Sequence, residues 1–157
     1  MSPAPAEPRI FSSLAEIEQA RGEALGTTDW TLIDQPAVDA FADLTGDHQW
    51  VHVDTERASG SSFGGTIVHG FLTLAMLPGF AGRLYRIDVG SARLNYGVEK
   101  VRFPAPLPVG SRIRATPEFT AVEHLGSGTR ITTTWTVERE GGDRPVCVAQ
   151  TLTLVLP

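Results

Sequence analysis

Apolar and polar residues alternate along most of the second half of the chain, from about residue 91 onward. Two runs of positions spaced two apart are largely apolar: Ile131, Thr133, Trp135 and Val137 in one, and Val148, Gln150, Leu152 and Leu154 in the other. A period of two puts the residues of each run on one face of a β-strand. Four strands are predicted between turns rich in glycine and proline, at residues 91–103, 111–123, 129–140 and 146–156.

The chain before these strands carries the signals of short helices. Ser13 followed three residues later by Glu16 is a capping box, and it predicts a helix from there to about Arg21. A short strand is expected around residues 30–32. Both elements precede the segment that holds the candidate chemistry.

A second helix is predicted between Asp34 and Gly46. Asp34 is a typical N-cap, Pro36 suits the first turn, and Gly46 suits a helix end. This helix would deliver a loop at residues 47–52, with another turn of helix at residues 55–59.

The segment from His69 to Leu77 predicts an apolar helix. Its residues from Phe71 onward are apolar on nearly every side, so the helix is expected to be buried all round, and it is followed by Pro78. One buried helix and four long antiparallel strands predict an α+β domain in which a curled sheet wraps the helix. We expect residues 1–9 to be a flexible tail and residues 10–157 to form this single domain.

Composition narrows the classes of partner. The formal net charge is −5, which argues against nucleic acid or an anionic membrane surface as the main partner. The longest apolar run is far short of the roughly 20 residues that a membrane span needs. The lone Cys147 cannot form an internal disulfide, and its apolar neighbours predict a core residue. A cytoplasmic protein is expected.

Candidate chemistry is concentrated between Asp47 and Gly70. His52 follows Asp47 by five residues, and a carboxylate near an imidazole raises its basicity and selects its tautomer. The backbone N–H of Gly70, at the start of the apolar helix, could receive charge developing on a carbonyl oxygen. Each piece alone has a plainer structural interpretation, but the spacing of Asp47, His52, Asp54 and His69-Gly70 together indicates proton chemistry beside a carbonyl.

This pattern resembles the MaoC-like (R)-specific enoyl-CoA hydratases, also called hydratase 2, and most closely their NodN-like branch. The resemblance is carried by Asp47, His52, Asp54 and Gly70, by the wording from Thr45 to Trp50, by Asn95-Tyr96-Gly97, and by the run from Val101 to Pro106. It implies a hot-dog fold and a hydro-lyase that interconverts trans-2-enoyl and (3R)-hydroxyacyl thioesters without a cofactor. It also implies catalytic roles for Asp47, His52 and Gly70, whereas capping of the next turn is the favoured role of Asp54.

Substrate-binding residues are less sharply indicated. Gln49 and Trp50 stand where hydratase 2 enzymes have Asn-Pro, and Pro78 stands where some short-chain members have a serine, so no serine role is carried over. Gln49, Trp50, Asn95 and Tyr96 are candidates for contact with the acyl group or its water. Arg102, or alternatively Arg83 and Arg86, is a candidate for the phosphates of CoA or an acyl-carrier arm.

The histidines of this segment raise the question of a metal site. His48 and His52 are four apart, but Gly46 and the β-branched Val51 and Val53 argue against the regular helix that would align them, so no metal site is expected.

The rival functions are a hot-dog thioesterase and a non-catalytic thioester-binding subunit. Because open sheet edges favour pairing, a homodimer is expected.

Overall fold

The computed structural model describes residues 7–157, and the first six residues of the predicted N-terminal tail lie outside that range. The helices are α1 (Leu14–Gln19), α2 (Gln35–Thr45), α3 (Trp50–Val53), α4 (Thr55–Ser59), α5 (Gly70–Ala75) and α6 (Leu77–Leu84). The strands are β1 (Arg9–Phe11), β2 (Thr31–Leu32), β3 (Tyr85–Ile87), β4 (Ala92–Arg102), β5 (Arg112–Leu125), β6 (Gly128–Arg139) and β7 (Cys147–Leu156).

Five of the strands form one antiparallel sheet in the order β2-β5-β6-β7-β4. The four long strands predicted from the sequence are all present, with bounds shifted by one or two residues. A small parallel pair, β1 with β3, was not predicted, and it places Arg9 in a strand. The α+β hot-dog arrangement is confirmed, with helices lying against the concave face of a curled sheet.

The sheet core lies between α6 and the concave face. Leu77 and Phe80 of α6 are fully buried against Trp135 and Val137 of β6, together with Cys147 of β7. Burial raises the pKa of the Cys147 thiol to about 11, so the thiol stays protonated near neutral pH. Cys147 is therefore a core residue, as predicted.

A second cluster secures the opposite end of the sheet. The Phe119 ring meets the rings of Phe11 and Tyr85 edge-on, each at a centroid distance of 5.2 Å. Such edge-to-face pairs are favourable, and here they attach the small β1–β3 pair to the main sheet. Burial raises the pKa of Tyr85 to about 12, which keeps its phenol neutral.

The even-numbered run predicted as the apolar face of β7 includes two buried residues, Leu152 and Leu154, but it is not the face that packs with Trp135 and Val137. Trp135 and Val137 pair with Ala149 and Cys147, so the odd-numbered residues of β7 share the concave face. Leu152 and Leu154 lie on the other face, paired with Gly97 and Leu94 of β4. Both faces of β7 carry apolar residues, and the pairing register decides which of them faces the helices.

The predicted helix buried all round is also corrected. The segment forms two short helices, α5 and α6, and Pro78 lies in the first turn of α6, where it needs no hydrogen-bonded N–H. Phe71 of α5 is 69% exposed in the single chain, and Thr73 is the residue of α5 that is buried. The apolar residues of α5 thus lie partly at the surface of the single chain and partly in the core.

The local signals before the site are confirmed. Ser13 caps α1 by accepting from the Glu16 N–H, although α1 ends at Gln19 rather than Arg21. Asp34 caps α2 by accepting a hydrogen bond from the Ala37 N–H at 3.1 Å. Gly46 ends α2 in the left-handed conformation, with φ of 79°, and turns the chain toward Asp47.

We expect Gly46→Ala to lower the free energy of unfolding by about 1 kcal/mol, because a Cβ in the left-handed region is strained. No atom lies within 4 Å of the added methyl group, so crowding would add nothing. Gly46→Asn, which tolerates this conformation, should lose less. Urea unfolding of the three proteins measures the difference, and equal losses for Ala and Asn would contradict the backbone explanation.

Candidate active site

The segments that follow α2 bring Asp47, His52 and His69 together. Asp47 lies in the turn after α2, His52 in the single helical turn of α3, and His69 at the N-cap of α5. One carboxylate or imidazole atom of each residue lies within 4.8 Å of such an atom of the others. Gly70, the first residue of α5, adjoins the same cluster.

The hydrogen bonds of His52 assign its tautomer. Its Nδ1 lies 2.6 Å from the carbonyl oxygen of Ile67, and because a carbonyl can only accept, Nδ1 carries the hydrogen. Nε2 therefore keeps its lone pair and can act as a base. The His52 side chain is 8% exposed and lines a cavity, so this base is sheltered but accessible.

A glutamine missed by the sequence interpretation holds the backbone of His52. Gln35, the first residue of α2, donates from Nε2 to the His52 carbonyl oxygen at 2.8 Å. Its Oε1 accepts a hydrogen bond from the Thr66 hydroxyl at 2.6 Å. One amide thus joins α2, α3 and the segment that leads into α5.

The Asp47 carboxylate makes no direct hydrogen bond to His52 among residues 7–157. Its Oδ1 accepts a long bond, 3.4 Å, from the Gln49 N–H, and its side chain is 52% exposed. Two hydrogen bonds of about 2.8 Å through one water span a gap of this kind. A carboxylate oxygen of Asp47 and a ring nitrogen of His52 lie within 4.8 Å of each other, a distance that one bridging water can span.

Gly70 is crowded on one side and open on the other. Its N–H has no hydrogen-bond partner within the part of the chain that the structure describes. A Cβ on Gly70 would lie 2.7 Å from Cδ2 of the Phe103 ring, closer than real Cβ contacts. Glycine thus permits Phe103 to pack directly over the start of α5.

The cavity beside His52 has a volume of about 330 Å³, and we call it the dyad cavity after the Asp47–His52 pair, the dyad, although His52 and not Asp47 is among its wall residues. Its wall is mostly apolar and is formed by His52, Phe63, Ile67, Val68, Gly70, Thr73, Phe103, Ala105, Pro106, Leu107 and Val146. Apolar walls with a few polar groups are typical of small-molecule sites. The cavity can hold an apolar group next to the His52 base and the free N–H of Gly70.

The other sequence candidates do not line the dyad cavity. Gln49 is the N-cap position of α3, and the Trp50 ring packs against the Arg57 guanidinium at 4.4 Å. Tyr96 is exposed on β4, and Arg102 donates to the neighbouring Val101 carbonyl oxygen at 2.7 Å.

Asn95 lines a second cavity of about 280 Å³, the sheet cavity, between α6 and the concave face. Its wall also contains Leu77, Pro78, Ala81, Tyr85, Arg86, Ile87, Arg93, Trp135, Thr151 and Thr153. No residue is shared between the walls of the two cavities. Asn95 is therefore associated with a different space from the one beside His52.

Two acidic residues near the dyad have local structural roles. Asp54 caps α4 by accepting from the Arg57 N–H at 3.0 Å, which confirms the capping role. Asp43 bonds to Nε2 of His48 at 2.9 Å, and this hydrogen bond raises the pKa of His48. His48 is thus bonded to Asp43, and it precedes the single helical turn α3, which contains Val51 and Val53, two of the residues that the sequence interpretation had taken as evidence against a regular helix.

The three-residue cluster does not have the geometry of a metal site. Imidazole nitrogens bind zinc at about 2.0–2.1 Å along the ring plane. The rings of His52 and His69 are stacked, with centroids 3.8 Å apart and planes inclined by 24°, so their in-plane lone pairs cannot meet at one point. One ring would have to leave the stack before both could bind the same ion.

The chain is similar to known proteins of one family. A family model described as MaoC like domain matches residues 16–142. The chain is 52% identical over 145 residues to 3-hydroxyacyl-thioester dehydratase Z of Mycobacterium tuberculosis, covering 92% of this chain and 96% of the relative. It is 42% identical over 147 residues to Nodulation protein N of Rhizobium leguminosarum bv. viciae, covering 91% of each.

A solved structure shares the arrangement. The (R)-hydratase from A. caviae involved in PHA biosynthesis superposes with a TM-score of 0.69 at 25% identity, covering 86% of this chain and 97% of that one. Among residues 7–157, no helix has both the length and the apolar character needed to cross a bilayer.

We expect Gly70→Ala to destabilise the fold by about 1–3 kcal/mol, because the new methyl group overlaps the Phe103 ring. Adding Phe103→Ala should relieve the overlap, so the Gly70→Ala cost should be smaller in that background. Gly79→Ala is the matched control, since its Cβ would meet no atom within 4 Å and alanine favours a helix. Additive losses in a double-mutant cycle of unfolding free energies would contradict the predicted contact.

Proposed function

The chain belongs to the MaoC-like dehydratase family, and on that premise we propose that it catalyses the reversible hydration of trans-2-enoyl thioesters to (3R)-hydroxyacyl thioesters. One observation carries the proposal: a gap that one water can bridge, between Asp47 and His52, lies next to the residue Gly70, whose N–H is unpaired among residues 7–157. An Asp47 carboxylate oxygen and an imidazole nitrogen of His52 lie within 4.8 Å of each other, and Nε2 is the His52 nitrogen left free by the bond to Ile67. Gly70 lines the adjoining cavity, and its N–H has no hydrogen-bond partner among residues 7–157. The relatives whose names include 3-hydroxyacyl-thioester dehydratase and (R)-hydratase support this choice of substrate class.

In the hydration direction, one water is held between Asp47 and His52. Its oxygen attacks the β-carbon, and Nε2 of His52 takes the proton that the water loses. The same proton is then returned to the α-carbon, so the two atoms of the double bond gain a hydroxyl and a hydrogen in total. General acid–base catalysis of this kind contributes typically about 10²–10⁴ in rate.

The Gly70 N–H stabilises the intermediate charge. As the water adds, negative charge collects on the thioester oxygen, and a donor already aimed at that oxygen lowers the barrier. One such donor is worth about 10²–10³ in rate. The dyad cavity supplies apolar walls around this oxygen, and in such surroundings the hydrogen bond is stronger than in water.

The carrier of the acyl group is CoA or an acyl-carrier arm, and the reaction requires no cofactor. The proposed compartment is the cytoplasm, where a free buried Cys147 is stable as a thiol. Arg102, with its guanidinium at the surface, is the proposed contact for a carrier phosphate. Asn95 and Tyr96 of β4 are proposed to contact substrate only where two chains meet along that strand.

We infer a homodimer formed along β4. This strand is 11 residues long and pairs with β7 on one side only, so its other edge offers free backbone groups. Leu94, Tyr96 and Val98 are each about half exposed in the single chain. A second copy paired along this edge would satisfy the backbone groups and cover the apolar side chains.

We expect Asp47→Asn and His52→Gln to lower kcat by about 100-fold or more, because each removes one of the two groups that bind the water. Thermal unfolding should be little changed by Asp47→Asn, since its carboxylate is half exposed. Asp43→Asn is the matched control, because Asp43 is an exposed carboxylate that is not part of the Asp47, His52 and His69 cluster. Asp47→Asn with more than about a tenth of wild-type activity would show that the role given to Asp47 is wrong.

The assay supplies short and medium trans-2-enoyl-CoA and follows loss of the conjugated thioester absorbance. We expect rapid loss with the wild type and formation of the R alcohol, measured by chiral chromatography. Release of free CoA thiol without hydration would instead identify a thioesterase. Tight binding of the thioester with neither reaction would indicate a binding subunit.

We expect the wild type to have twice the chain mass in light scattering, and Val98→Lys to shift it toward the monomer. A charge at this edge would face its own copy across the interface. Leu44→Lys is the control, because Leu44 is 85% exposed on α2, away from the β4 edge. A monomeric wild type, or equal behaviour of the two variants, would contradict the β4 interface.

A further inference from the structure

His69 is enclosed between the dyad and α2. Its side chain is 2% exposed, and its ring stacks on the His52 ring with centroids 3.8 Å apart. The Phe41 ring of α2 lies 5.0 Å away on a tilted plane. His69 is nearly fully buried, unlike the half-exposed Asp47, so it is placed to act through Asp47 and His52 rather than on the substrate.

The hydrogen bonds of His69 distinguish its two nitrogens. Nε2 lies 2.9 Å from the backbone carbonyl oxygen of Asp47, and because that oxygen only accepts, Nε2 carries the hydrogen. Nδ1 is buried and has no hydrogen-bond partner among residues 7–157. An unpaired buried acceptor is unfavourable, and a phenyl ring would fill similar space without it. The Nε2 bond to Asp47 is therefore what histidine adds at this position.

That bond is the shortest hydrogen bond that Asp47 makes among residues 7–157. The Asp47 N–H donates to the Thr45 hydroxyl over a long distance of 3.4 Å. The Asp47 carboxylate accepts from the Gln49 N–H over the same distance. The Asp47 carboxylate Oδ2 lies 3.9 Å from Nε2 of His69. The His69 ring thus touches both members of the dyad, one through its face and the other through its N–H.

We propose that His69 is a positioning residue that holds Asp47 and His52 at the separation that one water can bridge. The proposal rests on the hydration function described above and adds a third residue to its machinery. Loss of the Nε2–H would free the turn at Asp47 while leaving His52 on its own anchors, the Ile67 carbonyl and Gln35. The fault would then lie in the geometry of Asp47 rather than in His52.

Two substitutions separate the hydrogen bond from the packing. His69→Phe keeps an aromatic ring against His52 but has no donor, whereas His69→Gln loses the ring and keeps an amide donor near the position of Nε2. We expect His69→Phe to lower kcat about 10–100-fold with KM changed less than about threefold, since small displacements of catalytic groups are costly. His69→Gln should restore part of the activity. Its log kcat should lie at least about a third of the way from the His69→Phe value back to the wild-type value. His48→Gln, in the same segment but bonded to Asp43, is the control and should retain wild-type kcat.

A readout without substrate tests the same idea. Long-range ¹⁵N NMR of the imidazoles should show the hydrogen on Nδ1 of His52 and on Nε2 of His69. In His69→Phe, His52 should keep its tautomer, while backbone relaxation at Asp47 and Gln49 should report faster motion.

The outcomes distinguish the proposal from the function on which it rests. An inactive wild type overturns the hydratase function, and the NMR and relaxation data still decide whether His69 holds Asp47. Full activity of His69→Phe, or an unchanged Asp47 turn in that variant, overturns the positioning role. If His69→Phe fails to fold, loss of kcat in folded His69→Gln with no change at Asp47 also overturns it.

Discussion

The concave face of the five-stranded sheet must be kept from water, and the rest of the molecule is organised by how it is covered. Trp135, Val137 and Cys147 present a continuous apolar surface, and α6 is held against it by Leu77 and Phe80. Burial of this area is the main favourable term in forming the domain. Because α5 leads directly into α6, the same packing determines where Gly70 and its free N–H stand.

The dyad is carried by segments that have little core of their own. The chain from Asp47 to Ser59 forms two short helices with few buried residues, which are Val51, His52 and Ala58. Its position depends instead on hydrogen bonds to neighbours, through Gln35 and through the carbonyls of Asp47 and Ile67. The packed sheet and α6 thus support the site, whereas hydrogen bonds fix the positions of its residues.

Features with a local cause could be predicted from the sequence. The Asp34 cap, the left-handed Gly46 and the four long strands each depend on residues close together in the chain, and all were found. The concave face of β7 could not be predicted, because the choice between two apolar faces is made by its register with β6. The exposure of Phe71 has a similar origin, since composition does not say which side of a short apolar helix meets a sheet. For the site, spacing indicated Asp47, His52 and Gly70, but the stack of His52 on His69 joins residues 17 positions apart and has no local signal. The apolar residue before His69 was the one hint that this histidine is buried.

The two stacked histidines have opposite tautomers, and this has a consequence for where a proton can go. The Nδ1–H of His52 is bonded to the Ile67 carbonyl oxygen, which does not take up a proton, and the Nε2–H of His69 is bonded to the Asp47 carbonyl oxygen. Among residues 7–157 the hydrogen bonds of His52 thus provide no inward proton path, and a proton gained at Nε2 would leave from Nε2. In the proposed hydration, such a site would return to the substrate, from the same side, the hydrogen that it took from water, so the new C–O and C–H bonds would form on one face of the double bond. The stereochemistry of addition would then follow from the lack of an inward proton path rather than from a second acid.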